Sequence, residues 1–232
     1  MVGISVRAAP ALALALALAA GTANAAPGPS DPTGGAPTLY GDPAAAAPFW
    51  RYQEYDDDCV EASVADVVGQ LTGHRPSEQA VVKLAQSTPS TVHPGPIYAK
   101  PKKHKSGSGT SFDDEPALLA HYGIHAVSTG KSSAAKTGVP TGMAALQQDL
   151  AEGRRVIVGV NAELIWREPV EDKTPDGQPE ANHAVVVTGI DTGAGIVHLN
   201  DSGDEAGRDE RVPLGIFAKS WASSDEQMTV TD

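Results

Sequence analysis

Residues 182–191 read Asn182-His183-Ala184-Val185-Val186-Val187-Thr188-Gly189-Ile190-Asp191. Four β-branched residues in succession favour an extended backbone, so this segment is expected to be a sheet strand. Two other runs share its character, Arg155-Val156-Ile157-Val158-Gly159-Val160 before it and Gly195-Ile196-Val197-His198-Leu199 after it. The later two lie so close in sequence that they should pair antiparallel. Gln227 to Val230 is placed to close the same sheet, and Phe217 to Trp221 reads as a helix.

Toward the N-terminus the pattern changes from runs to stripes. Val60, Val64, Val67, Val68 and Leu71 recur at helical spacing behind Cys59, and Gly73 supplies the stop. Asp58 and Glu61 stand at capping-box spacing, so Cys59 is expected to open this helix. Further helices are expected from Glu78 to Ala85 after Ser77, from Asp114-Glu115-Pro116 to Gly123, and from Thr141 to Glu152, with a strand at Ile124 to Ser128. Gln86 to Phe112, rich in Pro, Ser, Lys and Gly, reads as a long irregular loop. Helices come first and strands follow, which indicates an α+β fold with an N-terminal helical part followed by an antiparallel sheet.

The two ends of the organisation are set by composition. Arg7, an apolar run from Ala8 to Ala20 and Ala23-Asn24-Ala25 have the form of an export signal over residues 1–25. The run is too short for a membrane span, which needs about 20 residues, and no later segment qualifies, so no membrane insertion is expected. Residues 26–47, mostly Ala, Pro, Gly and Asp, read as a disordered tether. About 185 residues, 48–232, then remain for one domain. The expected setting is secreted, extracellular or cell-wall associated.

Removing Arg7 with the signal takes the formal net charge from −12 to −13. Such acidity disfavours nucleic acid and anionic membrane surfaces as partners, and neither is expected, because phosphate binding relies on clustered Lys and Arg. Lys100-Pro101-Lys102-Lys103-His104-Lys105 is a local exception that reads as a solvated loop. The chain has one cysteine, which excludes an intramolecular disulfide. No paired His or Cys spacing of metal-ligand type appears, and no cofactor is expected. Oligomeric state is left open.

Four residues carry candidate chemistry. A thiol is a strong nucleophile as thiolate, a form stabilised by a helix N-terminus and a nearby imidazolium. Cys59 has the first if its helix starts as expected; Asp56, Asp57 and Asp58 would oppose ionisation unless they point away or cap the helix. Six residues earlier, Gln53 could donate its side-chain amide beside the sulfur and, with the Cys59 backbone N–H, form a two-donor oxyanion hole. His183 opens the most apolar strand, where its ring would be held as a general base should be. Asp201, on the next strand, could hold that imidazole in its useful tautomer; Asn200 could do so instead, but alternation allows only one.

The order Gln53, Cys59, then distant His183 on one strand and Asp201 on the next resembles the papain-like superfamily, and more closely the cysteine-peptidase-39-like family, relatives of bacteriocin-leader peptidases. The matching pieces are Gln53 to Cys59, Leu71-Thr72-Gly73, Leu150 to Val160, His183 to Asp191, Asp201, and Phe217 to Trp221. The resemblance implies Gln53 in the oxyanion hole, Cys59 as nucleophile, His183 as general base and Asp201 as its orienting partner. Val60 stands where the family commonly has Gly, and Ser202 where it commonly has Pro. The implied activity is a secreted thiol hydrolase acting on a peptide or isopeptide bond, with a peptide or protein as substrate. The competing reading is a non-catalytic extracellular binding module that keeps the fold, because a fold does not guarantee its chemistry.

Overall fold

The β-branched runs form a seven-stranded sheet whose described pairings are all antiparallel. The structure is a computed structural model that describes residues 38–99 and 109–232. The strands are β1 (Leu39–Gly41), β2 (Ala126–Thr129), β3 (Val156–Val160), β4 (His183–Asp191), β5 (Ile196–Asn200), β6 (Glu210–Pro213) and β7 (Met228–Thr231). Their order is β2-β7-β3-β4-β5-β6. β4 is the spine: β3 pairs with His183–Val187, β1 with Gly189–Asp191, and β5 runs along the other side.

Helices cover both faces. On one lie α2 (Cys59–Thr72), α3 (Glu78–Ser87) and α4 (Glu115–His121), whose Val64, Val68, Val81 and Leu118 share a core with Ile157, Ala184 and Val186. On the other lie α6 (Met143–Ala151) and α8 (Leu214–Trp221), with Leu146, Leu150, Phe217 and Trp221 against Val156, Val158, Val185 and Val187. Successive residues of β3 and β4 thus enter opposite cores, which is why these strands read as unbroken apolar runs and not as an alternation. Each buried Val or Leu contributes about 1.5–3 kcal/mol relative to exposure. α1 (Pro43–Ala46), α5 (Ala134–Thr137) and α7 (Ala162–Trp166) are single-turn pieces that sequence periodicity did not reveal.

Several expectations are corrected. The tether does not reach residue 47: Leu39–Gly41 pairs with Gly189–Asp191, Asp42 caps α1 by accepting from Ala45 N, and Ala46 is buried. Residues 26–37, the export signal at 1–25 and the basic run Lys100–Lys105 lie outside the described residues. α2 begins at Cys59 and ends at Gly73 in the left-handed conformation, but Asp58 makes no side-chain cap, so the capping box is not formed. One irregularity interrupts the β4–β5 ladder. Val187 opposes Leu199 and Gly189 opposes His198, which leaves Thr188 as the extra residue of a bulge.

Candidate active site

Cys59 and His183 are each the first residue of their element, Cys59 of α2 and His183 of β4. The two elements are fastened one turn in, where Ser63 Oγ donates to the Ala184 carbonyl at 3.2 Å. The start of the helix and the start of the strand therefore lie side by side. Cys59 is a free, half-buried thiol, and His183 is 4% exposed.

His183 Nε2 and Asp201 Oδ1 are 2.6 Å apart. With Nε2 committed to the carboxylate, Nδ1 is the nitrogen left for the thiol. Burial by itself would push the imidazole down, but the Asp201 charge and hydrogen bond, with a smaller contribution from Cys59, hold it well above the ordinary histidine range. Asp201 itself is pushed up by burial and down, more strongly, by His183 and its other donors, so it stays below the ordinary carboxylate range. Both shifts favour an imidazolium facing a carboxylate, which makes the His183 imidazole a strong proton acceptor.

Asp201 is held on every side. Oδ1 also accepts from Gly203 N at 2.7 Å, and Oδ2 accepts from Trp166 Nε1 at 2.9 Å. Its carbonyl accepts from Trp50 Nε1 at 2.5 Å. The Trp166 ring lies 5.5 Å from the His183 ring, shielding the hydrogen bond between imidazole and carboxylate. Gly203 is required by close approach: a Cβ there would stand 2.8 Å from Trp166 Cζ2 and 2.9 Å from His183 Cε1. Neither Trp166 nor Gly203 was picked out from the sequence, since nothing local to residue 166 signals a partner at 201.

Asn200, the alternative partner for His183, points to the opposite face. Its amide donates to Asp66 Oδ2 of α2 at 2.8 Å and to the Ala46 carbonyl at 3.1 Å. Gln53 stands beside the Asp201 loop, with Oε1 accepting from Ser202 Oγ at 2.9 Å and Nε2 donating to the Tyr55 carbonyl at 2.7 Å.

The carboxylates around the cysteine sort themselves by burial. Asp58 is 0% exposed, neither oxygen meets an N–H or O–H donor, and it faces the Glu78 carboxyl. Burial first, then Glu78, push it up to about 9, so it is protonated and neutral at pH 7. Glu61 is pushed up to about 7, chiefly by burial, although Thr110 Oγ1 donates to it at 2.6 Å. Asp57 accepts from Tyr98 Oη at 2.8 Å, and Asp56 turns toward a cleft. The residue immediately before the sulfur therefore carries no charge that would oppose a thiolate.

That cleft, of about 420 Å³, is lined by His183, Gln53, Trp166 and the carboxylates Glu54, Asp56, Glu163 and Asp172. Tyr52, Trp166 and Gly203 also line a second cavity of about 630 Å³, so the two adjoin along these residues. Among the described residues no helix is long and apolar enough to cross a membrane.

Comparison with known proteins identifies the family and the fold. Uncharacterized proteins of Mycobacterium tuberculosis and Mycobacterium bovis are each 58% identical over 206 residues, covering 88% of this chain and 88% of theirs. Among solved structures, one from Bacillus anthracis assigned to the C39-like peptidases has a TM-score of 0.57 at 19% identity, covering 84% of this chain and 97% of its own. The peptidase domain of Streptococcus ComA has a TM-score of 0.43 at 14% identity, covering 78% of this chain and 94% of its own. The model of the Peptidase_C39 like family matches residues 47–229, which span Gln53, Cys59, His183 and Asp201 together, and the chain belongs to that family.

Proposed function

We propose that this chain is an exported thiol hydrolase that cleaves a peptide or isopeptide bond through Cys59 and His183. The observation that carries the reading is the buried His183–Asp201 pair at 2.6 Å, set against the thiol that opens α2. The export signal at residues 1–25 supports the extracellular setting. A cleft lined by four carboxylates supports a peptide rather than a polyanion as the partner.

His183 Nδ1 takes the thiol proton, and Asp201 stabilises the imidazolium that results. Cys59 Sγ attacks the carbonyl carbon, the C=O π pair moves onto oxygen, and the oxyanion meets the Cys59 backbone N–H and a Gln53 amide N–H. The C–N bond breaks as His183 returns its proton to the leaving amine, leaving a thioester. Water, deprotonated by His183, attacks that thioester; the C–S bond breaks and the thiolate leaves with the imidazolium beside it. Asp58, neutral, adds no opposing charge.

Thiol alkylation tests this without a known substrate. The rate of iodoacetamide reaction at Cys59, measured across pH, is expected to be fast well below the usual thiol range and to lose that limb in His183→Ala. Cys59→Ser should abolish release of p-nitrophenol from p-nitrophenyl acetate beyond background. A slow, ordinary alkylation profile indifferent to His183→Ala would overturn the hydrolase and leave the binding-module reading.

A further inference from the structure

We propose that Ser202 is a positioning residue that aims the oxyanion donor Gln53, an inference that rests on the oxyanion role given to Gln53 above. A glutamine amide turns easily about its last torsion, because that torsion is broad and roughly two-fold. Here both ends of the amide are tied. The Tyr55 carbonyl can only accept, so the bond from Nε2 at 2.7 Å fixes which end of the amide carries nitrogen. Ser202 Oγ, on a residue 6% exposed, donates to Oε1 at 2.9 Å and fixes the other end. An NH2 group has two hydrogens; with one on Tyr55, a single N–H is left, in a plane the two bonds define.

A second link makes the arrangement specific to the site. Gln53 N donates to the Ser202 carbonyl at 2.9 Å, so backbone and side chain of Gln53 are both joined to residue 202, next to Asp201. The segment before the nucleophile and the loop that orients the base are thereby locked together. The hydroxyl is the feature that the resemblance did not supply, since proline at this position has no side-chain donor. Among the described residues no hydrogen bond joins Ser202 to the thiol or the imidazole; it acts through Gln53.

The test pairs an activity with a signal that needs no substrate. Acylation by p-nitrophenyl acetate is expected to fall about 5–20-fold in Ser202→Ala, a part of the roughly 10²–10³-fold expected for loss of an oxyanion donor in Gln53→Ala, with KM within about twofold. Ser202→Thr should restore the rate, and adding Ser202→Ala to Gln53→Ala should cost nothing more, because the two act as one unit. In ¹⁵N-correlated NMR spectra the Gln53 side-chain NH2 pair, identified by its disappearance in Gln53→Ala, should be dispersed in wild type and collapse toward solvent-exposed positions in Ser202→Ala.

Additive losses in the double variant, or an unchanged NH2 pair in Ser202→Ala, overturn the proposal. If Gln53→Ala is slow while Ser202→Ala is not, the positioning role fails and the oxyanion role stands. If Gln53→Ala acylates as fast as wild type, the oxyanion role fails and the proposal falls with it.

Discussion

Asp58 and Asp201 are both 0% exposed, and both stand next to the proposed catalytic pair, yet they hold opposite charge states. Asp201 receives His183 Nε2, Gly203 N and Trp166 Nε1 and stays ionised. Asp58 receives no donor, faces Glu78, and is pushed up to about 9. Burial alone therefore does not set the charge; the donors that meet the oxygens do. The site holds both outcomes, a fixed negative charge behind His183 and a neutral carboxyl beside Cys59.

The contrast can be broken most strongly at Asp201. Asp201→Asn keeps the shape and the oxygen acceptor but removes the charge that raises His183. Hydrolysis should fall by about 10²-fold, and the low-pH limb of Cys59 alkylation should move toward neutrality. A profile that stays where it was would show that the charge does not set the imidazole. Trp166→Phe removes one donor and leaves the shield, so a loss of about 3–10-fold in acylation is expected, in keeping with the net worth of one hydrogen bond, about 0.5–1.5 kcal/mol. Its pH profile should move in the same direction as that of Asp201→Asn, by less.

Asp58→Asn sharpens the comparison and has the smallest effect. It copies the protonated carboxyl, so alkylation at pH 6–7 should be unchanged within about twofold. Its effect belongs to stability. The folded pKa of about 9 lies above the ordinary 3.8, so between those values the unfolded chain has released a proton that the folded chain keeps. That preference is fully present at low pH and is lost as pH rises toward about 9. Asn carries no such proton, so the Tm of Asp58→Asn should match wild type near pH 4 and exceed it by about 5 °C at pH 9, a shift that corresponds to roughly 2 kcal/mol. A variant that instead speeds alkylation at pH 7 would mean that Asp58 is charged there.

The same physics explains what was legible in the sequence. β3 and β4 were visible because both their faces are buried, so β-branched residues had no reason to alternate with polar ones. α2 was visible because its valine stripe repeats over 14 residues, from Cys59 to Thr72. The pairing of His183 with Asp201 rather than Asn200 depended on strand phase, which residue types do not carry. α7 spans five residues, too short for a period to show, and it is this helix that delivers Trp166 to Asp201. β1 was hidden for a related reason: Leu39-Tyr40-Gly41 sits in an Ala, Pro and Gly background, and its reason to be extended is the vacant stretch of β4 beyond the end of β3. The capping box failed because Asp58 meets no helix N–H and lies against Glu78, a tertiary neighbour from α3.

Counting along the β4–β5 ladder shows what the bulge at Thr188 contributes. Near the hairpin turn, opposed residues such as Asp191 and Ile196 have numbers summing to 387; beyond Thr188, pairs such as Val186 and Asn200 sum to 386. Continued without that surplus residue, the strand would set residue 201 opposite Val186, on the face where Asn200 now meets Asp66. A one-residue change of phase exchanges the faces of a strand. The choice between a carboxylate and an amide behind His183 is thus written as a parity, stored in a single uncounted residue partway along the neighbouring strand.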